Sequence, residues 1–527
     1  MKKTSLFMLF LTMGQMAFAQ KTADIYSSTI SEEDLKKHLT YIASDELQGR
    51  DTGSEGQKKA AKYIADHFQK LGLQAIVPLK NGQKSYFQTF NLYKKGWKEV
   101  YIKINNKKKV FFKDFYPNGI INIPQEKNLE IVFAGYGIQN DSRNDFKGLD
   151  LKDKAVIFFE GEPKDKDGNF LYSKSKDSEW SGTNGIKKKV KLASDLGAGY
   201  FFEISDADAE KFKTLTAERK AVLSRFNRMV FEKTPNDVET KNATFTISSE
   251  MAAEILDLKP AKLAALKMGT GKAKSPKKTT ITLKSERGDE IVETSNVLGF
   301  MEGTDLKDEV VVITAHYDHV GVDAKGEIYN GADDDGSGTC AVLELAEAYA
   351  KAKAEGKGPR RSILFMTVTG EEKGLLGSQY YTDVDPVIPL KNTVCDLNID
   401  MIGRIDKAHE NNPNYVYLIG SDKLSSELHA ISEKANAETV KFDLDYTYND
   451  PKDPNRFYYR SDHYNFAKKG IPVLFYFTGV HVDYHKPGDD VEKILFKKYS
   501  EIVKLVFYTS WDLVNRDKRI VVDSNKP

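Results

Sequence analysis

Five of the nine histidines in the 527-residue chain fall in two short stretches, 316–319 and 463–485. Ala315-His316-Tyr317-Asp318-His319 follows an apolar run. An acidic, Gly-rich loop comes next: Asn330-Gly331-Ala332-Asp333-Asp334-Asp335-Gly336-Ser337-Gly338. Glu371-Glu372 closes a second apolar run and Asp400 a third, and His485 lies in Asp483-Tyr484-His485-Lys486-Pro487-Gly488-Asp489. These residue types suit divalent-metal hydrolysis. Zinc takes imidazole nitrogen and carboxylate oxygen. Two cations about 3.5–4 Å apart need a carboxylate between them and terminal ligands on each. Two histidines and three carboxylates fill that count. In His316-x-Asp318 the Asp can grip the far ring nitrogen of the His. Of two adjacent glutamates, one can bind metal while the other acts as general base. Singly, each motif has an ordinary reading: Asp-Asp-Asp as a solvated turn or calcium-type loop, Glu-Glu as a helix start that welcomes acids. Gathered in one domain, so many desolvated carboxylates are hard to explain without cations.

The elements that must position these residues follow from periodicity. Glu309–Ala315, Arg361–Val368, Thr393–Ile399 and Ile471–Phe477 read as buried strands, with a helix over Cys340–Ala352. This alternation predicts an α/β domain with helices on both faces of a mixed, largely parallel sheet. Ligands of such sheets bind beyond the carboxyl ends of the strands, where the motifs above fall. Two amphipathic helices open the chain, capped by Ser31 and Ser54. Near residue 95 the character changes to Lys-rich, β-leaning sequence. Val100–Ile104, Val110–Phe115, 129–138 and Ala155–Phe159 read as strands, 164–190 as an exposed charged loop, 243–257 as a strand entering a helix, and 258–278 as a linker or solvated surface.

The order HxD … GADDxxSG … GEExGLLGS … NxDM … DYHxxxD, with the early LQGRDTGSEG segment, resembles the M28 family of zinc peptidases. The resemblance covers roughly residues 30–90 and 285–515. The stretch between, about 95–285 with FAGYGI and AVIFFEG, looks like the protease-associated domain that some members carry. The implied architecture is a zinc-peptidase fold, split into 20–94 and 286–527, with a β-rich insertion over 95–285. The resemblance implies two zinc ions per chain. His316 and Asp400 match the terminal ligands of one, and Glu372 and His485 those of the other. Asp334 matches the bridging carboxylate, Glu371 the general base and Asp318 the partner of His316. Asp333, Asp335 and His319 are expected to face solvent or support the ligands, and His481 to lie in a loop outside the ligand set.

The expected function is an aminopeptidase acting on peptides. Alternatives are a carboxypeptidase of the same family, a single-zinc glutaminyl cyclase and a non-catalytic binding protein. Arg460 could grip a substrate carboxylate, although pairing with a nearby Asp is the favoured reading. Tyr446, Phe457 and Tyr458 are candidate pocket walls.

Composition narrows the classes further. Lys plus Arg number 78 against 77 Asp plus Glu, a net charge of +1, so charge alone selects neither nucleic acid nor an anionic membrane as partner. With 40% hydrophobic residues the chain can build a large core, and its length predicts about three or four domains. Two cysteines, Cys340 and Cys395, rule out a disulfide scaffold. Lys2 and Lys3, an apolar run over 4–16 and Ala17-Phe18-Ala19 read as a secretory leader over 1–19, with export to the periplasm or medium. The run is too short to span a bilayer.

Overall fold

Both early caps form as their sequences predict. The Ser31 hydroxyl accepts from the Asp34 amide and starts helix α1 (Glu32–Ile42), and Ser54 accepts from Gln57 and starts α2 (Glu55–Lys70). Each helix buries one stripe: Leu35, His38, Leu39 and Ile42 on α1, and Ala60, Ile64 and Phe68 on α2. The computed structural model describes residues 22–524 except 166, 174–176, 225–227, 234–237, 269–278 and 324. The expected leader lies outside the described residues.

The chain forms two compact units rather than three or four. One comprises the residues up to Asn91 together with Val292 onward, and the other is Leu92–Ile291. The first is built on seven strands: β1 (Thr280–Met301, through its Val297–Met301 end), β2 (Leu306–His316), β3 (Arg361–Val368), β4 (Thr393–Ile399), β5 (Tyr415–Ile419), β6 (Asp443–Asp445) and β7 (Val473–Phe477). Their order is β6-β5-β7-β4-β2-β3-β1. The β7-β4-β2-β3 core is parallel, and β1 joins β3 antiparallel, as β5 joins β7. Side chains alternate across the sheet, as a strand requires. Val311, Ile313 and Ala315 share a core with α1, α2, helix α3 (Gly338–Ala354) and helix α4 (Phe496–Asn515). Val310 and Val312 face the other way, against Leu364, Met366, Tyr381 and Phe466. Cys340 and Cys395 are buried in the first core and free. Among the described residues no helix is long and apolar enough to cross a membrane.

The Leu92–Ile291 unit combines many strands with four helices among its described residues. Strands Ile123–Phe133, Ala155–Phe159, Tyr200–Ile204 and Ala243–Ile247 run parallel in that order, and Phe115–Pro117 adds antiparallel at the edge. Helices Gly182–Asp195, Ala209–Ser224, Ser249–Ile255 and Pro260–Lys267 accompany them. The Lys-rich stretch expected as an exposed loop enters the first of these helices. Lys189 is fully buried, its Nζ donating to the carbonyls of Phe159 and Gly161 at 2.9 and 2.6 Å. Burial lowers its pKa to about 8. Three consecutive lysines mask a helix in which only one has a buried carbonyl pair to meet. The Val110–Phe115 strand reading also fails, because residues 112–114 turn and only Phe115 enters a strand.

Entry into α3 depends on a close approach. A Cβ on Gly338 would sit 2.3 Å from the Ile399 carbonyl oxygen and 2.4 Å from the Asp335 carboxylate. Neither neighbour is a free side-chain end. Gly338→Ala should therefore cost about 2 kcal/mol or more through overpacking. Urea unfolding checks this, and an unchanged midpoint would show that the contact can relax.

Candidate metal centre

The strand order creates the site. From β2 the chain passes to β3 on one side, then crosses back to β4 on the other. Such a switch leaves a crevice at the carboxyl ends of the strands. His316 is the last residue of β2, Glu371 and Glu372 follow β3, Asp400 follows β4, and His485 lies in the segment after β7. The acidic loop precedes α3. Gly331 opens it at φ +57°, where a Cβ would meet the Asp334 carbonyl oxygen at 2.3 Å and the His319 ring at 2.5 Å.

Asp334 faces two groups at once. Its Oδ1 is 3.3 Å from His316 Nε2, which is also 3.7 Å from Asp400 Oδ1. Its Oδ2 is 3.0 Å from His485 Nε2, which is 3.2 Å from Glu372 Oε2. His316, Asp334 and Asp400 thus form one cluster of suitable donor atoms, and Asp334 and Glu372 belong to another. His319 also joins the second cluster, with Nδ1 2.8 Å from Glu372 Oε1 and 3.8 Å from Asp334 Oδ2. Buried atoms without a hydrogen-bond partner include Asp334 Oδ2, Glu372 Oε1 and both His319 ring nitrogens. Leaving buried polar atoms unmet costs free energy, and cations would satisfy them. The donor set of imidazole and carboxylate fits zinc.

The residues around the clusters are not solvent-facing. His319, Asp333 and Asp335 are fully buried. Asp335 accepts from the amides of His316, Gly338 and Met401, and so ties the end of β2, the start of α3 and the turn after β4 to one carboxylate. Asp333 accepts from Gly403 N at 2.6 Å. Asp489 accepts from the Asp333 and Asp334 amides. His481 stands 3.3 Å from Asp333 and 3.7 Å from Asp489, away from both clusters. Asp318 meets His316 differently from expectation. Its backbone carbonyl is 3.0 Å from His316 Nδ1 and its carboxylate 3.9 Å. That carboxylate instead accepts from Thr52 Oγ1 at 2.7 Å and from the Glu371 amide at 3.2 Å.

The electrostatics follow from burial and neighbours. Burial raises the Glu371 carboxyl well above its usual range, and Glu372, Asp462 and Asp400 add to the rise against the opposing His316. Burial would raise Glu372 too, and the nearby Asp334 carboxylate adds to that, but the adjacent His319 and His485 rings hold it down at about 2. Burial would lower His485, yet Asp334 and Glu372 lift it to about 10. Burial pushes Asp462 up to about 7, while Ser378 Oγ donates to its carboxylate at 2.5 Å.

Arg50 and Thr52 are functional positions to which residue chemistry alone assigned no role. Arg50 is fully buried. Its guanidinium donates to the carbonyls of Tyr317, Ile42, Asn330 and Gly331, at 2.8, 2.5, 2.7 and 3.0 Å. One side chain thus fixes both the His316 strand end and the start of the acidic loop. The available signal was an Arg and a Thr set among glycines in Gly49-Arg50-Asp51-Thr52-Gly53.

A cavity beside Glu371 and Asp400 is walled by Met401, Phe457, Phe475, Phe477, Val480 and Tyr484. Arg460, which is exposed, also lines it. Arg460 does not pair with an Asp. It donates to the Tyr484 hydroxyl at 3.3 Å and lies 5.0 Å from the Phe457 ring centre. Tyr446 and Tyr458 are not brought to this cavity. Tyr446 packs on His429, 5.0 Å between ring centres, and Tyr458 lies under Lys423 and beside His463.

Residues 296–510 match the family model of Peptidase family M28. Aminopeptidase YwaD of Bacillus subtilis (strain 168) is 27% identical over 328 residues, 58% of this chain and 66% of that protein. A probable leucine aminopeptidase of Trichophyton verrucosum (strain HKI 0517) is 31% identical over 221 residues, 39% of this chain and 54% of that protein. The chain spans about half to just under two thirds of the length of the first curated relatives it matches. Among solved structures, BSAP, a zinc aminopeptidase from Bacillus subtilis, aligns over 94% of this chain and 98% of its own at 19% identity and TM-score 0.47.

Two outcomes follow from this geometry. Arg50→Lys leaves at least one of the four carbonyls without a donor, and should cost about 1–3 kcal/mol. Chemical denaturation at unchanged slope checks it, and wild-type stability would contradict the role given to the guanidinium. Chelation of divalent cations should lower Tm by about 5 °C, since an ion bound to the native state at about 100 times its Kd stabilises by about 2.7 kcal/mol. Scanning calorimetry with and without zinc readdition reads this directly. A Tm indifferent to chelator would mean that the buried carboxylates are satisfied without cations.

Proposed function

We propose, from the match of residues 296–510 to the Peptidase family M28 model, that the chain is a zinc-dependent aminopeptidase. The observation that carries the reading is the placement of Asp334 between two groups, Oδ1 toward His316 and Oδ2 toward His485. In this reading His316 and Asp400 would hold one zinc, Glu372 and His485 would hold a second, and Asp334 would serve both. His319, which reaches Glu372 at 2.8 Å, supports or supplements the second set. Zinc there supplies polarisation of the scissile carbonyl and eases deprotonation of water.

The protein's own groups do the rest. Glu371 accepts the proton of the attacking water at its carboxylate and returns it to the leaving amine. Its elevated pKa, set first by burial, suits a group that must hold that proton between the two events. Asp318 keeps Glu371 in place through the Glu371 amide, and the Asp318 carbonyl fixes the His316 ring. Ser461 donates to Asp400 Oδ2 at 2.8 Å and so orients that carboxylate. The apolar part of the cavity wall, Phe457, Phe475, Phe477, Val480 and Met401, suits an apolar first residue of a peptide. The acidic surroundings favour a protonated amine close by. A carboxypeptidase reading rests on one observation, an Arg460 that lines the same cavity and is not engaged by a carboxylate. Export through the Lys2–Ala19 leader completes the proposal.

One peptide assayed free, N-acetylated and C-amidated tests it. Cleavage should require the free N-terminus, tolerate the amide, disappear on chelation and return with zinc. Dependence on the free C-terminus would transfer the assignment to a carboxypeptidase with Arg460 as the anchor. Glu371→Gln should keep the bound zinc and lose at least about 100-fold in kcat. Full activity in that variant would remove Glu371 from its role.

A further inference from the structure

Away from the strand ends, three helices converge on another donor set. His38 projects from α1, His67 from the last turn of α2, and Glu347 from α3. His38 Nε2 and His67 Nε2 lie 3.3 and 3.2 Å from the same oxygen, Glu347 Oε1. The two imidazoles meet at 82°, with ring centres 4.8 Å apart. The three donor atoms lie close enough together to share one ion.

We propose that His38, His67 and Glu347 form a further site for a transition-metal dication of the zinc class, separate from the clusters around Asp334. Ligands about 2.0–2.1 Å from a tetrahedral zinc are about 3.3 Å from one another, which matches both nitrogen–oxygen separations. The same spacing, 3.3 Å, separates His316 Nε2 from Asp334 Oδ1 in the candidate metal centre. His38 Nε2 and Glu347 Oε1 are within hydrogen-bonding distance at 3.3 Å, but a hydrogen-bonded pair accounts for the whole set less well. A charge-assisted N–H···O bond is shorter, about 2.7–2.9 Å. His67 Nε2 is buried and makes no hydrogen bond, so its contact with Glu347 lacks the direction of one.

The tautomer is also prepared. His38 Nδ1 lies 2.8 Å from the Tyr63 hydroxyl. When that nitrogen carries the proton, Nε2 presents a lone pair to an ion, the arrangement that partners of metal-bound histidines impose. The Glu347 side chain is 36% exposed, which leaves solvent access for a fourth ligand and a route of entry. The three protein ligands come from three helices whose buried faces share one core with β2, so an ion here would staple the N-terminal helices to the helix that follows the acidic loop.

Zinc content after equilibration at micromolar free zinc tests the proposal. Wild type should hold one equivalent more than Glu347→Gln and one more than His67→Gln. That difference does not depend on how many ions the Asp334 centre holds, so it stands apart from the peptidase reading. Glu347→Gln is nearly isosteric at a half-exposed position, and its circular dichroism should match wild type. Glu55→Gln, which removes an exposed carboxylate paired with Lys58, should leave the zinc content unchanged. Tyr63→Phe should weaken zinc affinity at this site about tenfold or more. Equal zinc content in wild type, Glu347→Gln and His67→Gln would overturn the proposal.

Discussion

A dense group of buried carboxylates is the constraint that the rest of the unit carrying Asp334 serves. Asp318, Asp333, Asp334, Asp335, Asp400, Asp462 and Asp489 are all buried, and Glu371 and Glu372 stand among them. Like charges at such separations in a dry interior raise one another's energy steeply. The fold divides the problem. Asp335, Asp333 and Asp489 are turned onto backbone amides, where each also fixes the geometry of the loop. Asp318 takes a threonine hydroxyl and an amide. The carboxylates of Asp334, Glu372 and Asp400 that remain face His316, His319 and His485, and it is there that the proposed function places its cations.

The architecture follows from the same demand. Parallel strands present their carboxyl ends on one edge, and the crossover around β2 opens a crevice there. Loops at that edge can bring residues far apart in sequence to within a few ångströms of each other without interrupting the core beneath. Arg50 holds this edge from below. It is a cation, but it is spent on carbonyls rather than carboxylates, locking His316 and the acidic loop in register with the N-terminal helices.

Much of this was legible in the sequence, and the reasons for the rest are physical. Arg361–Val368 and Thr393–Ile399 are strands over the residues their apolar runs indicate, because both faces are covered and periodicity carries the whole signal. The residues around Asp334 could be picked out because each follows such a run. The contacts that Arg50 and Thr52 make with the strand end and the acidic loop could not, since they join residues 266 to 281 positions apart and leave no local pattern. Lys189 was hidden by its exposed lysine neighbours. Tyr446 and Tyr458 were misplaced because aromatic composition does not specify which side of a loop a ring takes. His319 was read as peripheral, yet it is buried against Glu372, because a His three residues beyond a strand end can point either into the cluster or out of it.

The central claim is that one carboxylate, Asp334, is shared by two cations. Anomalous diffraction at the zinc edge, on crystals grown with zinc, tests it most directly. The account predicts two peaks about 3.5–4 Å apart, one beside His316 and Asp400 and one beside Glu372 and His485, with Asp334 between them. A single peak in this centre, or peaks that leave Asp334 uncoordinated, would contradict it.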